Sequence, residues 1–376
     1  MAEQISMETA RRIMLRAAAL DGTVFSAGLS GVAEVLERLG EVQLDPIDRV
    51  GTSPDLVFHA RVAGLSRGDW SRTMPGGAFE HFAKERCLLP ARRFPDWRSH
   101  TAQAPWWRLP ERLKRLDKGT LDDVLAELKH RGPLTAQAFS DHGRVRPVDW
   151  SGWTGTGKAA TMALEVLWTR CEVVVAGRGP GNVRVYDLPQ RALPAWFDQP
   201  PGDFFVDGVM QRVATIGMLR TAGGPQWSAL SAFRKDPRLD ELTAAGALVH
   251  VQVPGSRRVW LTTRDQLDAA RVPIEHDDHM RVLAPLDPLL WDRDLVKLAF
   301  GFDYVWEVYK PADKRIWGYY VCPLLHRGEL VGRVEAVRRD GGVVLDNVWW
   351  EEGQEPRPRL LDAALARLSV LNGMPA

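Results

Sequence analysis

The segment Gln43-Leu44-Asp45 contains two polar side chains whose types suit hydrolytic chemistry. In an extended chain, residues i and i+2 point to the same face. We therefore expect Gln43 and Asp45 to share one face while Leu44 anchors the other face in the core. A carboxylate can activate water, and an amide can orient it by hydrogen bonds. The segment predicts a minimal hydrolytic pair, and the alternative is a polar surface turn.

Two amphipathic helices should position this segment. Apolar residues recur near the 3.6-residue period across residues 5–20, which predicts a helix that ends at Asp21-Gly22. A second helix is expected at residues 31–39, capped by Ser30 and stopped by Gly40. Residues 42–44 then follow as a short extended piece.

Two later stretches repeat the order helix, helix, helix, β-hairpin. In the first, helices are expected at residues 121–128, 134–139 (with Thr135 as cap) and 160–170, before a hairpin at 172–178 and 183–186. In the second, helices are expected at residues 204–219, 227–233 and 238–245, before a hairpin at 246–253 and 258–262. This order is typical of the winged helix and predicts tandem copies, with the N-terminal region as a degenerate third.

The C-terminal part has a different pattern. Residues 304–310, 318–325, 329–338 and 343–349 are strand-like, which predicts a small antiparallel sheet or barrel, and a helix is expected at 359–371. The fold class is therefore α+β. The predicted domains are 1–118 (winged-helix-like, with the catalytic motif), 119–199 and 200–278 (winged helices), and 279–376 (β-rich).

Composition excludes several classes of protein. The 376 residues carry a net charge of +1, so nucleic-acid binding cannot be argued from global basicity. No apolar run approaches the length of a membrane span, and the N-terminus lacks the pattern of a signal peptide, so we expect a cytoplasmic protein. The three cysteines are widely separated and form no zinc spacing. Buried free thiols are the expected state.

Charge distribution is more informative than net charge. Residues 84–118 carry ten basic and four acidic side chains, a local charge of +6, together with Trp97, Trp106 and Trp107. Basic residues with interleaved aromatics suit a phosphate-tracking surface, and the alternative is a solvated helical face packed by tryptophans. Five further residues are candidate DNA contacts from charge and position alone: His59, Arg61, Lys158, and Arg257 and Arg258 at the tip of the second hairpin.

Two segments mimic other sites. Residues 152–158 match most of the P-loop spacing, but Ala159 stands where the motif needs Ser or Thr, so no nucleotide cofactor is expected. Lys158 is interpreted as a phosphate contact or as a solvated residue at a helix start. Residues 276–279 (His-Asp-Asp-His) are interpreted as a polar linker between domains, so no metal site is expected there.

Four segments together resemble the AlkZ/YcaQ (AlkX) family of winged-helix DNA glycosylases. Gln43-Leu44-Asp45 is similar to that family's Gln-Φ-Gln or Gln-Φ-Asp motif, and residues 79–90 (FEHFAKERCLLP) resemble its aromatic-Glu-…-Leu-Leu-Pro block. The third similar segment is residues 283–293 (LAPLDPLLWDR), which is followed by Phe300-Gly-Phe-Asp-Tyr304. The fourth is residues 307–315 (EVYKPADKR), which is followed by residues 318–321 (GYYV). The Asp in the triplet favours the YcaQ-like branch.

The resemblance implies a monofunctional DNA glycosylase that acts on double-stranded DNA. Members cleave the N-glycosidic bond of N7-alkylated purines, and some unhook interstrand crosslinks. The implied catalytic residues are Gln43 and Asp45, with Asp48 as a support for Asp45 or a turn cap. No lysine nucleophile is evident, so no lyase step is expected. We expect a monomer that needs no cofactor.

Two other functions stay open from the sequence. The main alternative is a non-catalytic winged-helix DNA-binding regulator. Residues 134–139 and 227–233 contain no Lys or Arg, however, which favours backbone binding over sequence reading. The other alternative is a protein that sequesters an alkylating natural product.

Overall fold

The computed structural model describes residues 2–103, 107–148 and 155–374, which form two compact units. The first unit comprises the chain up to Trp70, the segment Ala83–Cys87 and everything from Phe205 onward. The second comprises Ser71–Phe82 and Leu88–Phe204. The boundary expected at residue 118 does not coincide with a boundary between these units, and the finer four-part division remains a prediction.

The helices of the first unit begin with two near the N-terminus, as expected. They are Met7–Ala17, Leu29–Leu39, Ser53–His59, Asp69–Arg72, Phe204–Ile216, Pro237–Ala244, Arg264–Ala269, Arg293–Phe300 and Pro358–Leu371. The boundary between the two units falls inside Asp69–Arg72, after Trp70, and inside Phe204–Ile216, before Phe205. Short 3₁₀ helices occur at Ser228–Lys235, Pro288–Leu290 and Ala312–Lys314. Ser6 caps the first helix through Thr9 N at 3.0 Å.

Two four-stranded sheets belong to the first unit. In one, Leu248–Gln252 lies between the parallel strand Glu3–Gln4 and the antiparallel strand Trp260–Thr263, which pairs in turn with Leu219–Arg220. The other is an antiparallel meander of Arg281–Val282, Val321–His326, Glu329–Arg339 and Gly342–Trp350. The expected C-terminal antiparallel sheet is therefore confirmed.

One hydrophobic core joins the N-terminal helix to both of these sheets. Ala10, Ile13 and Met14 pack with Val251 of the first sheet and Leu325 of the second. Burying such side chains contributes about 1.5–3 kcal/mol each for the larger ones. The 3.6-residue period of the first helix thus marks the face that it buries.

The second unit is built mainly from helices with small sheets. Its helices are Met74–Gly77, Phe94–Gln103, Leu109–Leu113, Thr120–Arg131, Ala159–Thr169, Pro189–Ala192 and Pro194–Phe197, with 3₁₀ turns at Ala91–Arg93 and Pro180–Asn182. Its strands are Ala78–Phe82, Leu134–Thr135, Arg144–Val145, Gly157–Lys158, Val174–Gly179 and Val183–Asp187, and Arg86–Pro90 enters it at Leu88. The mixture of helices and small sheets in both units confirms an α+β fold.

Three local expectations were wrong. Residues 134–139 form a strand and a turn instead of a helix, because Leu134 and Thr135 pair with Tyr186 and Val185 in a sheet. Residues 304–310 form no strand, because the Glu307 carboxylate accepts the backbone N–H groups of Ile316 (2.9 Å) and Trp317 (2.7 Å), bonds that a neighbouring strand would otherwise make.

The third concerns Ser30. It does not cap the second helix, which already begins at Leu29 after Gly28.

Within residues 2–103, 107–148 and 155–374, no helix combines the length and apolarity that a membrane crossing requires.

Candidate functional site

Backbone geometry places Gln43 at the start of a short strand. Gly40 ends the helix Leu29–Leu39 in the left-handed conformation, with φ of 71°. The chain then extends into the strand Val42–Gln43, and Leu44 N donates to Arg86 O at 2.8 Å. Leu44 is only half-buried, so the expectation that it anchors the segment in the core was wrong. The backbone pairing with Arg86 fixes the segment instead.

The amide of Gln43 is nearly buried and has one charged partner. Lys84 Nζ donates to Gln43 Oε1 at 2.9 Å. Burial lowers the pKa of the Lys84 ammonium, and its nitrogen lies 5.3 Å from the centre of the Trp291 ring. Sequence reasoning missed this contact, because Lys84 was only counted among the basic residues of its segment.

A buried ion pair lies next to Gln43 in the chain. Glu41 and Arg212 are both almost fully buried, and two guanidinium nitrogens of Arg212 reach the Glu41 carboxylate. Lys84 N also donates to Glu41 Oε2, at 3.2 Å. The Arg212 guanidinium carbon lies 5.8 Å from the Trp291 ring centre. Glu41 therefore ties the helix that carries Arg212 to the two segments that carry Gln43 and Lys84.

Asp45 is half-buried, and its carboxylate accepts Ile47 N at 2.9 Å. Burial raises the pKa of this carboxyl, and the Ile47 hydrogen bond opposes part of that rise. Burial also raises the pKa of Tyr320 well above its usual value, with a smaller contribution from the Asp45 charge. Asp45 is thus near enough to Tyr320 to influence its titration, and it retains access to solvent.

Asp48 has structural partners. Its carboxylate pairs with Arg338 at 3.1 Å and also with Arg67. The two arginines come from the C-terminal sheet and from the loop after the helix Ser53–His59. Asp48 therefore fixes the end of the segment that carries Asp45, and a direct role in supporting Asp45 remains a prediction.

A cavity of 320 Å³ adjoins Lys84. Its lining residues include Lys84, Arg220, Gln226, Trp291, Asp292 and Arg293. Asp292 pairs with Arg220 at 2.6 Å, which neutralises part of the positive charge. Gln226 Nε2 donates to Trp291 O at 2.9 Å and holds that ring beside Lys84. Residues from the segment 283–293 singled out from the sequence thus form one wall of a cavity that Lys84, the hydrogen-bond partner of Gln43, also lines.

Arg61 was expected to contact DNA phosphate, and that expectation was wrong. Its side chain is fully buried and makes two hydrogen bonds to the equally buried Asp287 carboxylate, at 2.8 and 2.9 Å. It also donates to Ala18 O and Val57 O, both at 2.7 Å. All of its hydrogen-bonding directions except one are used inside the protein, so Arg61 is a structural residue.

His59 is largely covered. Burial lowers the pKa of its imidazole to about 4, and the nearby charge of Arg367 acts in the same direction. His59 is therefore neutral near pH 7 and could meet a phosphate only through a hydrogen bond. A contact from His59 to DNA remains a prediction.

The remaining predicted DNA contacts are exposed. Arg257 and Arg258 follow the strand Leu248–Gln252 in the loop of the hairpin, and Arg258 pairs with Asp294 at 2.6 Å. Lys158 Nζ donates to Gln137 O at 3.2 Å. All three side chains are accessible to DNA, and their role in binding stays a prediction.

The basic segment contains several cations that serve the fold. Arg93 and Arg112 are buried, and Arg93 pairs with Asp96 at 2.8 Å. Trp97 is also buried and donates to Phe82 O at 3.0 Å, whereas Trp107 is exposed. Trp106 lies outside the described residues. Packing therefore accounts for part of this segment, as the alternative interpretation expected.

The described residues of the two segments that mimic other sites make hydrogen bonds and ion pairs within the protein. Residues 152–154 of the P-loop-like stretch lie outside the described residues. Asp277 pairs with Arg281 at 2.5 Å, and Asp278 pairs with His326 at 3.0 Å and Arg327 at 2.9 Å. In the described part of the chain, no group of three or more His, Cys, Asp or Glu side chains is placed to hold a metal. Cys87, Cys171 and Cys322 are buried free thiols, as expected.

Comparison with known proteins adds independent evidence. A family model described as "DNA glycosylase AlkZ-like" matches residues 36–370, a span that includes Gln43, Asp45 and Lys84. The structure of the Streptomyces sahachiroi DNA glycosylase AlkZ is similar, with a TM-score of 0.64 and 15% identity over 99% of this chain and 98% of that chain. At that identity the structural match shows the fold alone. The family match, which spans most of the chain, shows that this protein belongs to the AlkZ-like DNA glycosylases, hydrolases of DNA repair.

Proposed function

We propose that this chain is a monofunctional glycosylase of the Gln-Φ-Asp branch that hydrolyses the N-glycosidic bond of N7-alkylated purines in double-stranded DNA. The observation that carries the proposal is the state of the two polar residues of the triplet. Gln43 is held by a charged hydrogen bond, and Asp45, two residues later, is half-buried with access to solvent. These are the properties of an orienting group and of a group that meets substrate.

The chemistry of the lesion determines what the site must supply. An N7-alkylguanine carries a positive charge, so the base leaves readily without strong protonation. What remains is an oxocarbenium-like sugar and an attacking water molecule. In this proposal, the Asp45 carboxylate stabilises the cation and accepts a proton from the water, while Gln43 orients that water or the sugar-phosphate.

The proposed binding mode is non-specific with respect to sequence. The element order in residues 204–263 is helix, short strand, 3₁₀ helix, helix and two-stranded hairpin, which supports a winged-helix interpretation of that stretch. In residues 120–187 the order is helix, three short strands, helix and hairpin, and the second helix of a winged helix is missing from the described residues. We infer that Lys158 contacts the DNA together with Arg257 and Arg258, which lie in the loop between the strands Leu248–Gln252 and Trp260–Thr263. We also infer that the protein binds DNA as a monomer.

Crosslinked bases place a geometric demand on such an enzyme. Two covalently joined bases cannot both rotate into a deep pocket, so a site that unhooks them must be open. The partial exposure of Asp45 supports extending the proposal to interstrand crosslinks.

The test uses a duplex that contains one N7-methylguanine and a matched duplex that contains one uracil. We expect release of free 7-methylguanine, strands that remain intact until alkali is added, and no release of the neutral base. Tight binding to both duplexes without base release would contradict the proposal and favour a DNA-binding regulator. Strand breaks before alkali would contradict the monofunctional mechanism.

A further inference from the structure

We propose that Lys84 is a positioning residue that holds the side-chain amide of Gln43 with its NH₂ group turned toward the substrate. This inference rests on the proposed function, because Gln43 has a catalytic role only if the chain excises bases. It concerns a lysine that belongs to no part of the triplet and lies 41 residues from Gln43 in sequence.

The chemistry of the two groups fixes the amide orientation. An ammonium group has three donors and no acceptor, whereas a glutamine amide has one oxygen acceptor and one NH₂ donor. The Lys84 Nζ to Gln43 Oε1 distance is 2.9 Å. A flipped amide would bring two donors together, so the oxygen must face Lys84. Within the described residues, Gln43 Nε2 has no acceptor, which leaves that NH₂ group available to donate.

Lys84 is itself held on several sides. Its backbone N–H donates to Glu41, its ammonium lies over the Trp291 ring, and its chain segment continues to Arg86, whose carbonyl accepts Leu44 N. The lysine and the glutamine are therefore fixed by neighbouring backbone bonds. Such support restricts the amide more tightly than one flexible lysine could on a free surface.

The charges around the Lys84 ammonium act in both directions. Burial is the main reason that its pKa is lowered, and the guanidinium groups of Arg212 and Arg293 add to that effect. Glu85 and Cys87 oppose it, and Glu41 accepts the Lys84 backbone N–H. Lys84 should therefore lose its proton at a lower pH than an exposed lysine does.

For catalysis, the oriented Gln43 amide would supply a hydrogen-bond donor and the Asp45 carboxylate an acceptor to the same water molecule. The ionised Asp45 carboxylate can only accept hydrogen bonds, and the oriented Gln43 amide offers its NH₂ group as a donor. A water molecule held by such a pair donates one hydrogen to Asp45 and accepts one from Gln43. Its remaining lone pair is then free to form the bond to the sugar carbon as the bond to the base breaks, and the water proton passes to Asp45.

Single-turnover excision of 7-methylguanine by a set of variants tests the inference. We expect Lys84→Met to slow excision about ten- to a hundredfold, the effect of losing one charge-assisted hydrogen bond, with little change in duplex affinity. Lys84→Arg should recover most of the rate. In a Gln43→Ala background, Lys84→Met should cause no further loss, because the lysine acts through the amide.

Two further readouts separate positioning from structure. The wild-type rate should fall toward alkaline pH as Lys84 loses its proton, and Lys84→Arg should lack that fall because arginine stays charged. The exposed Lys297, which pairs with Asp303 at 2.5 Å, supplies the control Lys297→Met, for which we expect the wild-type rate. Melting temperatures of all variants report any loss of folding.

Several results would overturn the inference. Additive losses in the double variant, or Lys84→Arg as slow as Lys84→Met at an unchanged melting temperature, would show that Lys84 does not act through Gln43. Borohydride trapping of the wild type, but not of Lys84→Met, onto abasic DNA would show that Lys84 is a covalent nucleophile instead. An inactive wild type would overturn the proposed function together with this inference, whereas an active wild type with additive losses would overturn the inference alone.

Discussion

Replacing Arg61 by methionine tests whether this arginine supports the fold or binds DNA. Its guanidinium is fully buried, and it forms the two-bond ion pair with Asp287 and donates to two backbone carbonyls. Methionine fills similar space but provides no charge and no donor. In the variant, the Asp287 carboxylate would keep, among the described residues, only the N–H of Leu289 as a partner, at 3.1 Å.

The expected loss is large compared with the stability of a typical protein. Removing one partner of a buried ion pair costs about 3–5 kcal/mol, because the other charge remains buried without compensation. Total stabilities are roughly 5–15 kcal/mol. With a change of about 2–4 °C per kcal/mol for a unit of this size, the melting temperature should fall by on the order of 10 °C.

Thermal melting by circular dichroism measures this loss, and duplex binding at several salt concentrations measures the alternative. The matched control is Arg257→Met, at an exposed arginine. We expect the control to melt like the wild type and to lower the salt dependence of binding by about one phosphate contact. If Arg61→Met instead melted like the wild type and weakened DNA binding, Arg61 would be a DNA contact and the structural reasoning would be refuted.

Three further predictions follow from individual residues. Because burial raises the pKa of the Asp45 carboxyl, the excision rate should fall as pH drops, with a midpoint above 3.8, and the residual rate of Asp45→Asn should show no such limb. Gly40→Ala should lower the melting temperature, because a left-handed conformation costs a non-glycine residue about 1–2 kcal/mol and the added Cβ would lie 2.1 Å from the Gln211 amide. The control Gly157→Ala, whose added Cβ would have no atom within 4 Å, should leave the melting temperature unchanged. Burial lowers the pKa of His81 from 6.5 to about 4. Between these pH values the unfolded chain binds a proton at His81 and the native state does not. Unfolding free energy should therefore decrease as pH falls from 6.5 to 4, by about 3 kcal/mol, and urea midpoints of His81→Leu should show a smaller decrease.

Local signals in the sequence predicted much of the fold. Apolar periodicity located the helices Met7–Ala17 and Leu29–Leu39, and Gly40 marked the end of the second because only glycine adopts its conformation cheaply. Turn residues correctly separated the strands Glu329–Arg339 and Gly342–Trp350. In each case the deciding interaction lies within a few residues of the signal.

The site itself depends on contacts that are distant in sequence. Lys84 reaches Gln43 across 41 positions, Arg212 reaches Glu41 across 171, and Arg61 reaches Asp287 across 226. No periodicity or spacing encodes such pairs. For that reason Arg61 was predicted as a surface cation, and Lys84 was counted only as part of a charged segment. The triplet could be identified from residue types, but its partners required the fold.

The most direct test of the central claim is the single-turnover rate of 7-methylguanine release from a duplex by the wild type and by Asp45→Asn, with duplex affinity measured in parallel. A positioned acid–base group contributes about 10²–10⁴-fold, so we expect the variant to bind the duplex like the wild type and to release the base at least a hundredfold more slowly. Equal release rates for the two proteins would contradict the assignment of Asp45 as the catalytic carboxylate.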